Sequence, residues 1–262
     1  MIENDKILNS KISISKRLDA KKINWLWPIL LVFARLVLAF IAQGITAIFF
    51  FFKGNPTPWA AAAPWWVVNG TLIDLGCLFL ISILIKKEGI KFRDLINVQI
   101  SHKGKFILQC IGFILLFLVL LMMGGIIFGN IIYKDTTPPL AFGRLPLWAA
   151  IYSVFVWPII WGITEQLTYF GYSLPRIEAK TNSKWVAVSI VCVGWCIQHI
   201  ALPFSLDSQW ILYRFTTVIP LAIILPLIFL KTRRLLPFII AHWFGNFISA
   251  FVYVLLPLIQ GV

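Results

Sequence analysis

The chain has 262 residues, 60% of them hydrophobic and 13% charged, with a net charge of +13. Several apolar runs exceed the ~18 residues that argue a membrane span, which excludes a soluble globular enzyme. The positive charge does not point to nucleic acid either, because it is gathered between the apolar runs and mostly on one side of them, where it faces anionic lipid headgroups.

Residues 1–25 are polar and basic, with Lys6, Lys11, Lys16, Arg17, Lys21 and Lys22. The first apolar run, Leu26–Phe52, is too long for the core of a cleaved signal peptide and is expected as a retained first helix, interrupted by Arg35. A turn-rich loop from Lys53 to Pro58 leads to a second span over 65–85 that contains Asp74. Arg35 and Asp74 are opposite charges on neighbouring spans and read first as a buried structural pair, with ion or proton passage as the other reading. A charged loop follows to Lys105. The third span, 106–133, includes Gly124 and Gly125, which favour a kink or close packing. The fourth runs over 145–172, with Pro158 inside it as a bend and Glu165 near its inner end. Pro175, Arg176, Glu178, Lys180 and Lys184 are expected as an exit loop. The fifth span is 185–202, the sixth 210–230, and the seventh 235–258. Arg214, near the start of the sixth, is expected to snorkel to the surface.

The expected fold is therefore all-α, a polytopic bundle of about seven spans. Eighteen of the 23 Lys and Arg fall on one side of these spans and three on the other, with Arg35 and Arg214 inside them. That asymmetry predicts a cytosolic N-terminus and an external C-terminus. No internal repeat, low-complexity segment or soluble domain interrupts the pattern. Cys77, Cys110, Cys192 and Cys196 all lie in apolar runs and read as small buried hydrophobes, although Cys192, Cys196 and His199 share a helix face that would suit a metal.

Three stretches place polar groups inside apolar helices, where an ionised side chain is costly and usually marks function. Glu165 and Tyr169 lie one turn apart, as do Trp195 and His199, and His242 and Asn246. A carboxylate and an imidazole together deprotonate water, and an imidazole with a primary amide donates hydrogen bonds to a developing oxyanion. The same carboxylate and imidazoles are ordinary zinc ligands. The alternative is that Glu, His and Asn only hold the bundle together by interhelical hydrogen bonds.

The order of these motifs resembles the CPBP family, which comprises CAAX prenyl proteases and bacteriocin-processing or immunity proteins, also called the Abi family. Its pattern is Glu-Glu-x3-Arg, then Phe-x3-His, then His-x3-Asn. His242 and Asn246 match the third motif fully, and His199 matches the second with Trp195 for Phe. In the first, Glu165 matches, Gln166 stands at the second Glu and Phe170 at the Arg, and Gly171 matches a glycine that often follows.

The resemblance implies an intramembrane endopeptidase in which Glu165 and His199 activate water and His242 and Asn246 form the oxyanion site. It leaves open a divalent zinc ion, whose ligands would be Glu165, His199 and His242. It divides the chain into residues 1–144, a basic tail with three accessory helices, and 145–262, a four-helix protease core. The expected surroundings are membrane lipid, a membrane-associated peptide or protein substrate, and a bacterial plasma membrane as the location of a multi-pass protein. A non-catalytic bacteriocin-immunity or membrane regulatory protein is the first alternative, favoured by Gln166 and Phe170. A transporter that uses Arg35, Asp74 and Glu165 is the second, and the lack of an inverted repeat speaks against it.

Overall fold

The computed structural model describes residues 8–98, 100, 102–134 and 136–261; Lys6, counted in the basic tail, lies outside them. Among the described residues there are helices and connecting segments and no strand. The chain is an all-α membrane bundle.

The basic tail is not plain coil. Helix α1, Lys11–Asp19, starts where the Ser10 side chain accepts from the Ser13 N–H, and it buries Ile14 and Arg17 against the bundle. Helices α2, Leu26–Phe52, and α3, Pro58–Glu88, then run as long apolar rods. Pro58 opens α3 at a position where its missing N–H has no partner to lose. Gly89 closes it at φ 72°, a left-handed cap that a side chain would strain. The short helix α4, Phe92–Ile96, precedes α5, Lys103–Tyr133. Gly124 in α5 serves close packing: a Cβ there would lie 1.8 Å from the Thr217 carbonyl oxygen.

The expected bend in the fourth span falls at Val156. Pro158 has no N–H for the Val154 carbonyl, and the helix breaks into α6, Leu147–Phe155, and α7, Trp157–Thr181, inclined by 41°. Within α7, residues Leu167–Ser173 form a π-helical segment, and all seven are buried. The helix then continues through Pro175 to Thr181. The expected exit loop is thus corrected: Pro175, Arg176, Glu178 and Lys180 are helical, Lys184 opens the next helix, and only the stretch around Asn182 and Ser183 is loop. Helix α8 is Lys184–Ile200, α9 is Ser208–Thr232 and α10 is Leu236–Gln260.

Among the described residues, length and composition qualify five helices as membrane spans, or six when α6 and α7 count as one. The difference from the expected seven is α8. At 17 residues it reaches about 25 Å, short of a hydrocarbon core of ~30 Å.

Both halves of the chain feed one core. Leu31, Val32 and Ile81 cluster with Leu167, Phe170 and Phe238. Two glycines set the helix approaches that matter most. A Cβ on Gly162 would sit 3.1 Å from the Trp243 amide nitrogen, so α7 and α10 meet backbone to backbone. A Cβ on Gly194 would overlap Val32 at 2.0 Å, so α8 lies directly on α2. Without dry hydrophobic driving force in lipid, such small-residue contacts are how helices gain packing energy.

Candidate active site

Those two contacts determine which polar groups meet. Gly162 lies one turn before Glu165 and Gln166, and Trp243 is next to His242. Gly194 lies one turn before Gln198, and Val32 is three residues before Arg35. The α7–α10 contact therefore brings Glu165 and Gln166 to His242, and the α8–α2 contact brings Gln198 to Arg35.

Glu165 has no exposed surface. Its Oε1 accepts from Gln198 Nε2 at 2.9 Å. Its Oε2 is buried without a hydrogen-bond partner and lies 3.7 Å from His242 Nε2. That distance is too long for a hydrogen bond, so both atoms keep capacity for a third group.

His242 is held from three sides. Gln166 Nε2 bonds His242 Nδ1 at 3.0 Å. An amide N–H2 only donates, so Nδ1 is the acceptor and the neutral ring carries its proton on Nε2, the nitrogen that faces Glu165. The rings of Phe117 and Trp195 lie 5.1 and 6.3 Å from the imidazole and wall it in. The Trp of the second motif is thus a packing partner of the His of the third.

His199 occupies the end of α8. Its Nδ1 bonds the Trp195 carbonyl at 2.8 Å, which makes Nδ1 the donor and leaves the lone pair on Nε2. Among the described residues no hydrogen bond joins it to Glu165, His242 or Asn246, although it is close enough to Glu165 and His242 for their charges to act on it. Arg214 donates to the His199 and Leu202 carbonyls, at 3.3 and 2.5 Å. It caps the C-terminus of α8, which corrects the expectation that it snorkels to the surface: the unpaired carbonyls of a helix end are the better partner for a half-buried cation. Asn246 lies one turn beyond His242, with its Nδ2 buried and unpartnered.

A second shell of charge comes from the first half of the chain. Arg35 and Asp74 form the expected buried pair, with 3.0 Å between Nη1 and Oδ1 and neither side chain exposed. The pair does not stand alone. Arg35 Nε donates to Gln198 Oε1 at 2.6 Å, and Tyr169 Oη donates to the same oxygen at 2.8 Å. The Arg35 guanidinium also lies 4.4 Å from the Trp161 ring centre, a cation–π contact. Two donors on Gln198 Oε1 fix which way its amide faces, and so fix Nε2 onto Glu165. Gln198 is the residue that sequence reasoning missed. An amide in an otherwise apolar helix, on the same face as Trp195, was the available signal, and the neighbouring histidine drew attention from it.

Zinc does not fit this arrangement. Among the described residues no three His, Cys, Asp or Glu side chains surround one metal position. His242, accepting at Nδ1, carries its proton on the Nε2 that faces Glu165, and the position where a further carboxylate would complete a set with them is the amide of Gln166. Cys192, Cys196 and His199 do not gather into such a group either.

Residues 145–248 match the family model described as Rce1-like, type II CAAX prenyl endopeptidase. The matched stretch is less than half of the chain and contains Glu165, His199, His242 and Asn246. No curated protein and no solved structure matches the chain.

Proposed function

We propose that this chain, whose residues 145–248 carry a CPBP-type core, is an intramembrane endopeptidase with Glu165 as its general base. The observation that carries the reading is the free Oε2 of Glu165. A buried carboxylate oxygen without a donor costs stability and is rarely left so without a reason. Here the other oxygen is anchored through Gln198, so the free one is aimed.

In this mechanism a water beside Oε2 loses its proton to Glu165 as its oxygen bonds to the carbonyl carbon of the scissile peptide. The proton held by Glu165 then passes to the leaving amine, and the C–N bond breaks. The carbonyl oxygen gains charge in the transition state and takes hydrogen bonds from His242 Nε2–H and Asn246 Nδ2. Gln166 supports that role: by donating to Nδ1 it keeps the proton on Nε2. His199, with its lone pair on Nε2, assists in holding the water. Arg35, Tyr169 and Gln198 are positioning residues. They touch no reacting atom and preorganise the carboxylate, which is the larger part of electrostatic catalysis. The substrate is a membrane-embedded peptide. No step is routed through a metal, because the donors do not assemble around one.

The test is cleavage of membrane-embedded peptides by the purified protein. Glu165→Gln keeps the shape and the bond from Gln198 but cannot take a proton, and a loss of ~10²–10⁴-fold is expected. Cleavage that survives in Glu165→Gln dismisses the mechanism. The non-catalytic reading rests on Gln166 and Phe170; cells protected equally by parent and mutant, with no cleavage by either, would favour it.

The N-terminus belongs in the cytosol in this reading, on the strength of the basic asymmetry. Reporter fusions should give opposite signals at the two ends of the chain, and matching signals would overturn the topology.

A further inference from the structure

A groove runs between α2 and α3 at the end of the bundle that carries most of the basic residues. Its inner part, of ≈ 290 Å³, is apolar and is lined by Leu30, Leu31, Ala34, Leu80, Ile83 and Leu84. Leu31 and Leu84 are buried and form its floor, while Leu30 and Ile83 are exposed rims. Trp27, Leu84 and Lys87 also line a second cleft of ≈ 440 Å³, which continues the groove outward past Lys21, Lys22 and Asn24 to Tyr172. The two together are an apolar slot with a cationic mouth, and the exposed Trp27 stands where one gives way to the other.

The charges at the mouth are uncommitted. Among the described residues none of the ammonium groups of Lys21, Lys22 and Lys87 has a hydrogen-bond or ion-pair partner. No acidic side chain lines the mouth. Of the two acidic residues nearest in sequence, Glu88 is buried and already spent on Arg17 and Arg176, and Asp19 is exposed on the adjoining cleft that shares Lys21, which leaves Lys22 and Lys87 without a carboxylate beside them. Three exposed cations over a slot of leucines and isoleucine ask for a ligand with an anionic head and a hydrocarbon tail. A tryptophan at the boundary sits at headgroup depth, as interfacial tryptophans do.

We infer that the groove between α2 and α3 is a binding site for one anionic phospholipid, its phosphate held by Lys21, Lys22 and Lys87 and one acyl chain laid along Leu30, Ala34, Leu80 and Ile83. A zwitterionic lipid fills the slot but does not satisfy the mouth. A free phosphate does the reverse. The inference is independent of the peptidase reading, since no residue proposed for catalysis takes part.

The experiment uses the full chain purified in a neutral detergent, titrated with phosphatidylglycerol or phosphatidylcholine. Retained lipid is counted by native mass spectrometry, and thermal unfolding is followed in parallel. One phosphatidylglycerol per chain is expected to bind in preference to phosphatidylcholine, and inorganic phosphate is expected to give no stabilisation. Each lysine near an anionic surface is worth about fivefold in affinity, so the combined Lys21→Ala, Lys22→Ala, Lys87→Ala variant should bind the lipid roughly 10²-fold more weakly. These side chains are exposed and unpaired, so the variant should fold. A control variant removes Lys103, Lys105 and Lys231, exposed at the same end of the bundle. Equal loss in the control means a general charge effect and overturns the site. Ala34→Trp fills the slot and should abolish preferential retention with the lysines intact. Retention unchanged in Ala34→Trp, or stabilisation by inorganic phosphate alone, also overturns it.

Discussion

Two buried charge networks lie along α7, one on each side of its π-helical segment, and they are built to opposite standards. Beyond the segment, Glu88 is saturated. Arg176 grips it through Nε and Nη2 at 2.7 and 2.6 Å, and Arg17 adds a third bond at 3.2 Å. The π-helical carbonyls are covered as well: Arg176 Nη1 donates to Tyr172 and Asn9 Nδ2 to Gly171, both at 2.9 Å. None of the polar side-chain atoms of Glu88, Arg17 or Arg176 is left buried and unpartnered. Before the segment, Arg35 Nη2, Asp74 Oδ2, Glu165 Oε2 and Gln166 Oε1 are all orphaned. A buried polar network is stable when complete and costly when not. The complete one reads as a clamp, and the incomplete one as a site that a substrate or water finishes. Burial and charge alone do not separate them; the orphans do.

The comparison breaks most visibly at Arg176. Arg176→Met leaves Glu88 buried with only Arg17 beside it and strips a donor from the π-helical carbonyls. Losing one partner of a buried pair costs about 3–5 kcal/mol, so thermal unfolding in detergent should shift down by on the order of 10 °C. Any folded fraction should keep its turnover per molecule. A selective loss of turnover with unchanged unfolding would mean that the clamp is part of the site.

Asn246→Ala probes the other network. Its amide makes no bond within the protein, so stability should hardly move. Turnover should fall by ~10²–10³-fold if the amide faces the oxyanion. Unchanged turnover, measured on the same peptides, would remove Asn246 from the site.

Gln166→Glu is the subtlest change. A carboxylate accepts from Nδ1–H and would move the His242 proton off Nε2. Losing one oxyanion donor typically costs ~10²–10³-fold, so turnover is expected to fall within that range while the His242 tautomer switches, which nitrogen-15 shifts of the imidazole would report. A tautomer that stays on Nε2 would contradict the role given to Gln166.

Much of this was legible in the sequence. Long apolar runs fixed the class, Arg35 and Asp74 paired as opposite charges must, and Pro158 marked the bend. The motif order paired Glu165 with His199, whereas the histidine that stands 3.7 Å from its carboxylate is His242. The rest was hidden for physical reasons. Gln198 carries no charge, so hydropathy barely registers it, and only the α8–α2 contact at Gly194 reveals its partner. Glu88 and Arg176 sit in stretches rich in charge and so read as solvated loop. What buries them is a pairing across 88 positions of chain, which no local pattern encodes. The π-helical segment is half of that kind: Arg176 covers the Tyr172 carbonyl from four residues on, but the Gly171 carbonyl is covered by Asn9, 162 positions earlier.

The docking of the N-terminal segment has a consequence for biogenesis. Asn9 and Lys11 leave the ribosome well before their partners, Gly171 and Asn182, which lie 162 and 171 positions later. At ~5–20 residues per second, the interval is about 10–30 s. During that time the partners of α1 are the membrane surface, which attracts its basic side chains, and Glu88, which Arg17 can reach 71 positions on. A segment made early is therefore among the last to be fastened, and a bulky group attached beside Asn9 would act on assembly rather than on the finished protein.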